Sequence, residues 1–372
     1  MRSDHARRAS RNRRRKRWTL VGFVAVLGLV LAACGTDLPQ NSLEPAGPEA
    51  SRIDSLFRIV FWLAVAVFVL VEGALVYAIF RFRRRRDSDD EPVQVHGNNS
   101  LEILWTIIPA LLLAGIAVPT LSTIFGLSRE PSPDERLDVR VVGHQWWWEF
   151  EYPGQGVVTA NELHIPTDRP VFLTLESKET PGGIAEFDEE GTAITENAIP
   201  VIHSFWVPRL GGKQDLVPGR IHTMTLQSDE PGTFRGQCAE FCGISHANMR
   251  LRVIAHEQAE FEDWLQDQKA EAAVPEPGSL AAEGAEVFQN FGTGSCLACH
   301  GIEPSQGESV GPNLTHIGGR ETLAAGLLDM NEENLRRWLD DPRSVKPGVV
   351  MPDYNLTEDQ IDALVAYLMT LE

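Results

Sequence analysis

Hydrophobic and polar positions alternate on three different scales along this chain. Residues 18–33 are an uncharged apolar run behind a basic stretch, and residues 56–80 and 101–125 are continuous apolar runs, each long enough to cross a ~30 Å hydrocarbon core as a helix. From residue 137 the period shortens. Segments 137–142, 156–163, 171–175, 221–227 and 249–254 are rich in Val, Thr and Phe, alternate in polarity and are separated by Pro and Gly, which predicts a small Greek-key β-barrel or sandwich. Residues 257–269 return to a helical period with Phe261, Trp264 and Leu265 on one face. A Pro-containing stretch then reads as a flexible tether. Beyond it a helical pattern runs through Ala285, Val287 and Phe288, and a final helix covers 358–371. The expected organisation is multidomain: a leader over 1–33, a two-helix transmembrane hairpin over 50–128, a β domain over 135–268, a linker over 269–278 and an all-α domain over 279–372.

Charge orients these parts. The run Arg81-Phe82-Arg83-Arg84-Arg85-Arg86 lies between the two apolar helices, and the positive-inside rule assigns it to the cytoplasm, so everything after about residue 128 lies outside a bacterial plasma membrane. Residues 1–33 carry nine basic side chains and one acid; without them the formal net charge changes from −19 to −27. That acidity argues against nucleic acid and favours a basic protein partner. The leader's short apolar core and small-residue end read as a signal peptide. Leu31-Ala32-Ala33-Cys34 resembles a bacterial lipobox, which makes Cys34 a lipidated, membrane-lipid-anchored N-terminus; a plain signal anchor is the alternative. Glu72 sits within the first apolar helix, where a contact to another subunit's helix accounts for it, and Pro109 and Pro119 interrupt the second.

The densest chemistry lies in Cys238-Ala239-Glu240-Phe241-Cys242-Gly243-Ile244-Ser245-His246-Ala247-Asn248-Met249, with C-x3-C-x3-H-x2-M spacing. Thiolate and thioether donors are soft, and a Met beside Cys and His favours copper electron transfer over zinc. A Cys238–Cys242 disulfide or two unconnected buried thiols are the plainer readings.

With the upstream His203-Ser204-Phe205-Trp206-Val207-Pro208, this stretch closely resembles the copper domain of cytochrome c oxidase subunit II, over roughly residues 50–265. The resemblance implies a cupredoxin-like fold and a dinuclear copper centre (CuA). Cys238 and Cys242 would bridge two coppers, His203 and Met249 would complete one, and His246 and the Glu240 carbonyl the other. It further implies that Trp146, first of the aromatic run in Gly143-His144-Gln145-Trp146-Trp147-Trp148-Glu149-Phe150-Glu151-Tyr152, lies at the surface above the copper as the place where electrons enter. A strand exposes alternate side chains, so that run is not expected to point wholly inward. Glu102 matches the entrance of a proton path into subunit I, and the Glu240 carboxylate a magnesium ion shared with it; Asp215, in the matching segment 211–220, belongs to the same polar interface. The acidic excursion 178–197 departs from the family, which runs directly from strand to the His-containing turn.

In the last domain, Cys296-Leu297-Ala298-Cys299-His300 is the attachment signature of covalent haem c, with His300 placed beneath the iron. Gly311-Pro312-Asn313-Leu314 and Lys346-Pro347-Gly348-Val349-Val350-Met351-Pro352 follow, and the segment resembles class I cytochrome c. Met351 is the expected distal ligand, with Met330 and His316 as competitors. The whole resembles subunit II of a caa-type haem–copper terminal oxidase. That implies partnership with oxidase subunit I and other membrane subunits, a cytochrome c or cytochrome bc-type donor, and oxygen reduction with proton pumping in subunit I, no catalytic residue lying in this chain. A nitric oxide reductase small subunit and a stand-alone electron-transfer lipoprotein are the alternatives.

Overall fold

Helices α1 (Pro48–Arg81) and α2 (Asn99–Leu127) realise the two apolar runs in this computed structural model. It describes residues 38–83, 94, 96–178, 200–292 and 294–372, with residues 21, 22 and 28 and the backbone of 186–187 and 193–194. Cys34, Arg84 to Arg86 and nearly all of the acidic excursion lie outside the described residues. At about 1.5 Å per residue, both helices exceed a bilayer's apolar thickness. Neither apolar span is buried within the chain, and α2 has no buried residue at all. The Asn98 side chain caps α2 by accepting from Ser100 N and Leu101 N at 3.1 and 3.2 Å. The helix continues through Pro109 and Pro119. The chain entering α1 is stitched to the β domain, with Ala46 N donating to Arg209 O at 2.8 Å and Asp229 N to Ala46 O at 2.9 Å.

The β domain is a sandwich of two five-stranded sheets. One comprises β1 (Leu137–His144), β2 (Trp147–Tyr152), β3 (Val157–Ala160), β5 (Val171–Ser177) and β10 (His222–Leu226), in the order β10-β5-β1-β2-β3. The other comprises β4 (Glu162–Pro166), β8 (His203–Trp206), β9 (Gln214–Leu216), β11 (Gly232–Cys238) and β12 (Arg250–His256), in the order β4-β12-β11-β8-β9. Two short strands, β6 (Glu186–Phe187) and β7 (Ala193–Ile194), pair with each other. The run expected as one strand over 156–163 divides at Asn161, whose φ of 64° turns the chain from one sheet to the other. Its side chain accepts from Trp148 N at 3.0 Å, a left-handed position that Asn tolerates. The inner faces interdigitate, as where Trp148 meets Phe205 edge-on at 5.6 Å, and helix α3 (Gln258–Asp267) closes one end with Phe261 and Leu265 buried.

Strand β2 departs from expectation. Trp146, Trp147, Trp148, Phe150 and Tyr152 are all buried, and so is Glu149. Alternation holds; what differs is that both faces are covered. Trp148 and Phe150 enter the sandwich core, whereas Trp147 packs with Ala325 and Glu149 faces Glu308, both residues of the C-terminal domain.

That domain contains α4 (Leu280–Gln289), α5 (Glu332–Asp340), α6 (Pro342–Val345) and α7 (Glu358–Leu368). Ser279 caps α4, and Thr357 with Gln360 forms a capping box on α7. The two helices cross at Gly284, where a Cβ would lie 1.9 Å from Ala363 O, so no larger residue permits this approach. Phe288 and Tyr367 pack beside the crossing at 5.6 Å. Residues 42–372 pack as one unit.

Candidate functional site

Strand β8 delivers His203, strand β11 ends at Cys238, and the following loop carries Cys242, His246 and Met249 back to β12. Pairing of Cys238 with Phe205 fixes the β8–β11 register and so brings His203 to the loop across 35 residues of sequence. The sulfurs of Cys238 and Cys242 are 3.8 Å apart. His203 Nδ1 lies 3.9 Å from Cys238 Sγ, and His246 Nδ1 3.6 Å from Cys242 Sγ. Met249 Sδ is 3.9 Å from Cys242 Sγ, and Glu240 O is 3.2 Å from Cys238 Sγ. All six expected donors thus meet in one place, with His203 and both cysteines buried. His203 Nε2 is itself buried without a hydrogen-bond partner.

The two thiols release protons unequally. The hydrogen bond shared with Cys242, with a further one involving His203, holds the Cys238 pKa well below the usual thiol value. The Cys238 thiolate, together with burial, pushes Cys242 up. Only a cation between the sulfurs would stabilise two thiolates here. The Cys242 carbonyl accepts from Gln145 Nε2 and Trp146 Nε1, each at 2.9 Å.

A cavity of about 1260 Å³, including its open mouth, lies behind Trp146. Cys296, Cys299, His300 and Met351 line it, as do Gln145, Trp146 and Trp147. His300 Nδ1 donates to Pro312 O at 2.8 Å, which leaves the Nε2 lone pair as the ring's donor. Burial lowers the pKa of His300, favouring the neutral form a metal needs. A Cβ on Gly311 would sit 2.5 Å from His300 Cε1, so glycine lets the backbone pass the ring. Burial raises the Cys296 thiol to about 11. Met330 and His316 do not line the cavity. His316 uses both ring nitrogens, on Glu372 O at 2.7 Å and Ala270 O at 3.1 Å.

Residues 137–256 match the family model "Cytochrome C oxidase subunit II, periplasmic domain", residues 38–123 its transmembrane domain and residues 281–372 "Cytochrome c". The cytochrome c oxidase subunit 2 of Alkalihalophilus pseudofirmus is 38% identical over 94% of this chain and 96% of its own length. The chain belongs to the cytochrome c oxidase subunit II family. Its counterpart from Bacillus sp. strain PS3 is 36% identical over 95% of this chain and 98% of its own length. A crystal structure of the periplasmic domain of subunit II of cytochrome oxidase from Bradyrhizobium japonicum is 26% identical, covers 37% of this chain and 94% of that one, and superposes with a TM-score of 0.30.

The family implies a copper centre and the cytochrome c domain a haem. This subunit II chain meets both on its own residues: paired sulfurs with imidazole and thioether neighbours in one site, and a Cys-lined, largely apolar cavity with a neutral imidazole in the other. One sequence expectation needs revision. Trp146 is not at the surface: it is 2% exposed because Lys346 and Gly348 of the C-terminal domain cover it. Glu102 is exposed at the start of α2, where its Oε1 accepts from Asn98 N at 3.3 Å and supports the cap.

Sequence reasoning also passed over Gln145, Glu149, Glu162 and Lys346 as functional residues. Their partners are mostly main-chain atoms elsewhere in the fold. One signal was readable: Glu149 interrupts an aromatic run on a strand, which calls for a partner wherever that face is covered.

Proposed function

We propose that this chain is the subunit II of a terminal oxidase that relays electrons from a cytochrome c or cytochrome bc-type donor, through the C-terminal pocket and then the sulfur site, to subunit I, which reduces O2 and pumps protons. The observation that carries this path is Trp146: its indole lines the pocket of Cys296, Cys299, His300 and Met351 and donates from Nε1 to the Cys242 carbonyl at 2.9 Å. When bound, covalent haem c and the dinuclear copper pair supply one-electron redox chemistry.

The rest is the work of side chains. Cys296 and Cys299 would anchor the haem, and His300 would offer Nε2 while Pro312 O holds its ring. Met351, on the same cavity's lining, would supply the haem's other ligand. Cys238 and Cys242 would hold the copper ions, together with His203, His246, Met249 and the Glu240 carbonyl. Strand pairing holds His203 and Cys238 before metal arrives, and Cys238 N, donating to Met249 O, ties the ends of the loop between them, which keeps reorganisation small. Burial of both cysteines and Met249 excludes water. The Glu240 side chain is exposed, which leaves its carboxylate for a magnesium ion shared with subunit I; that assignment and the proton-path role of Glu102 extend from family resemblance. The β and C-terminal domains belong on the extracytoplasmic side, with Cys34 as the lipid-modified terminus.

Purification of the complex by a tag on this chain, followed by optical and EPR spectra and O2 uptake, tests the reading. A c-type haem with a mixed-valence copper signal, a co-purifying haem-bearing membrane subunit and O2 consumption are expected. A haem without the copper signal would sink it.

A further inference from the structure

Buried charge sits where the two domains meet. Glu162, on β4 of the sandwich, is 1% exposed, yet its carboxylate partners belong to the C-terminal domain. Oε1 accepts from Thr322 N at 2.7 Å and Thr322 Oγ1 at 2.5 Å, and Oε2 accepts from Glu321 N at 3.1 Å. The reciprocal group is Lys346, 3% exposed, whose Nζ donates across the seam to Trp146 O at 2.5 Å and within its own domain to Ala324 O at 3.2 Å. Burying a carboxylate or an ammonium is costly unless the partner geometry is good. Glu162 finds it in the main chain of Glu321 and Thr322 and the Thr322 hydroxyl, and Lys346 in the Trp146 carbonyl, atoms that only one seating provides. Around them, Ser245 Oγ donates to Pro347 O at 2.5 Å, and separation would expose the indoles of Trp146 and Trp147.

We infer that Glu162 and Lys346 clamp the C-terminal domain permanently onto the sandwich, making it a fixed cap over Trp146 rather than a module that swings on its tether. The clamp concerns how the domains hold each other and stands whether or not electrons pass through Trp146. A tether of about ten residues alone supplies an effective concentration of roughly millimolar, enough to favour a weak seating intermittently. A clamp must survive without it.

The test severs the tether in the full chain. A protease site is introduced beside Val274, which is 92% exposed, and the haem-loaded protein is cut at about 1 µM and passed over a sizing column. The fragment carrying haem should stay with the remainder. In a Glu162→Ala, Lys346→Met double variant it should leave, its affinity lowered about a hundredfold or more by the orphaned buried partners. Glu162→Gln alone, which keeps the shape and removes the charge, should weaken retention about tenfold. Copper EPR and haem absorbance report folding in each case. Release from the uncombined wild-type seam on cutting overturns the clamp, as does full retention by both variants. Retention with no haem-to-copper electron transfer would instead count against the relay and leave the clamp standing.

Discussion

In the sandwich, six donors converge on two paired strands and the loop that follows them, and the sulfur pair sits 3.8 Å apart. In the C-terminal domain, two thiols stand on the lining of an open cavity whose walls come from both domains. The first site is a compact set of donors within one domain; the second is a wide cavity that haem would fill. Buried side chains normally gain from contacts on all sides, and haem seated in this cavity would add contacts to Phe288, Leu364 and Leu368 on its lining. The copper domain should therefore tolerate loss of metal, whereas the cytochrome domain should depend on haem for its fold.

The largest effect follows directly. Cys296→Ser with Cys299→Ser should abolish haem attachment, cut oxidase turnover by more than about a hundredfold and make residues 279–372 protease-sensitive. Cys238→Ser with Cys242→Ser should cost as much activity and erase the copper EPR signal while leaving the sandwich resistant to the same protease. Unfolding of the sandwich in the second variant would break the contrast; an intact cytochrome domain in the first would break it from the other side.

Trp146 sharpens the comparison, because it belongs to both sites. Trp146→Phe keeps ring packing but removes Nε1, leaving the Cys242 carbonyl with Gln145 as its remaining side-chain donor. One lost hydrogen bond is worth about 1 kcal/mol, so both spectra should persist while haem-to-copper electron transfer slows. Flash-induced transfer in the purified complex measures this, and an unchanged rate removes Trp146 from the path.

Local spacing made much of this legible. Cys238 to Met249 and Cys296 to His300 are contiguous motifs, and the long apolar runs gave both helices of the hairpin. His203 was reached through resemblance, since 35 residues separate it from Cys238 and strand register brings it in. The seam was not legible. Glu162 and Lys346 bond to main-chain atoms, which carry no residue signature, and the covering of Trp146 depends on a docking that no sequence period encodes. Burial of both faces of β2 has the same origin.

A pH-dependent difference should also separate the domains. In the sandwich, His164 Nδ1 and His256 Nε2 are 2.8 Å apart, and Trp264 stacks on His164 at 4.1 Å. Burial lowers the pKa of both rings; His256 and Arg320 add to the lowering at His164, while Glu260 and Glu321 oppose it at His256. A depressed folded pKa means that stability is fully present above the unfolded value near 6.5 and is lost as pH falls through it. Each imidazole kept neutral contributes up to about 1.4 kcal/mol per pH unit. Thermal melts of the sandwich should therefore fall more steeply from pH 7 to 5.5 in wild type than in His256→Gln, and equal slopes would remove the pair as the cause.

The smallest effect is expected at the exposed rim of the seam. Glu308 pairs with Lys178 and, at 3.2 Å, with Arg140, and its carboxylate pKa is lowered first by the Lys178 hydrogen bond. Its side chain is 60% exposed, against a residue exposure of 1% for Glu162. Water and salt screen such a pair, whose worth is roughly 0–1 kcal/mol. The Glu308 backbone N donates to Glu149 Oε2 at 3.0 Å, and a side-chain substitution leaves that bond in place. Glu308→Gln should therefore change retention of the severed cytochrome domain less than threefold, and raising salt to about 0.5 M should erase even that difference. A loss as large as that of Glu162→Gln would mean that the domains are held by their charged rim rather than by the buried groups beneath it.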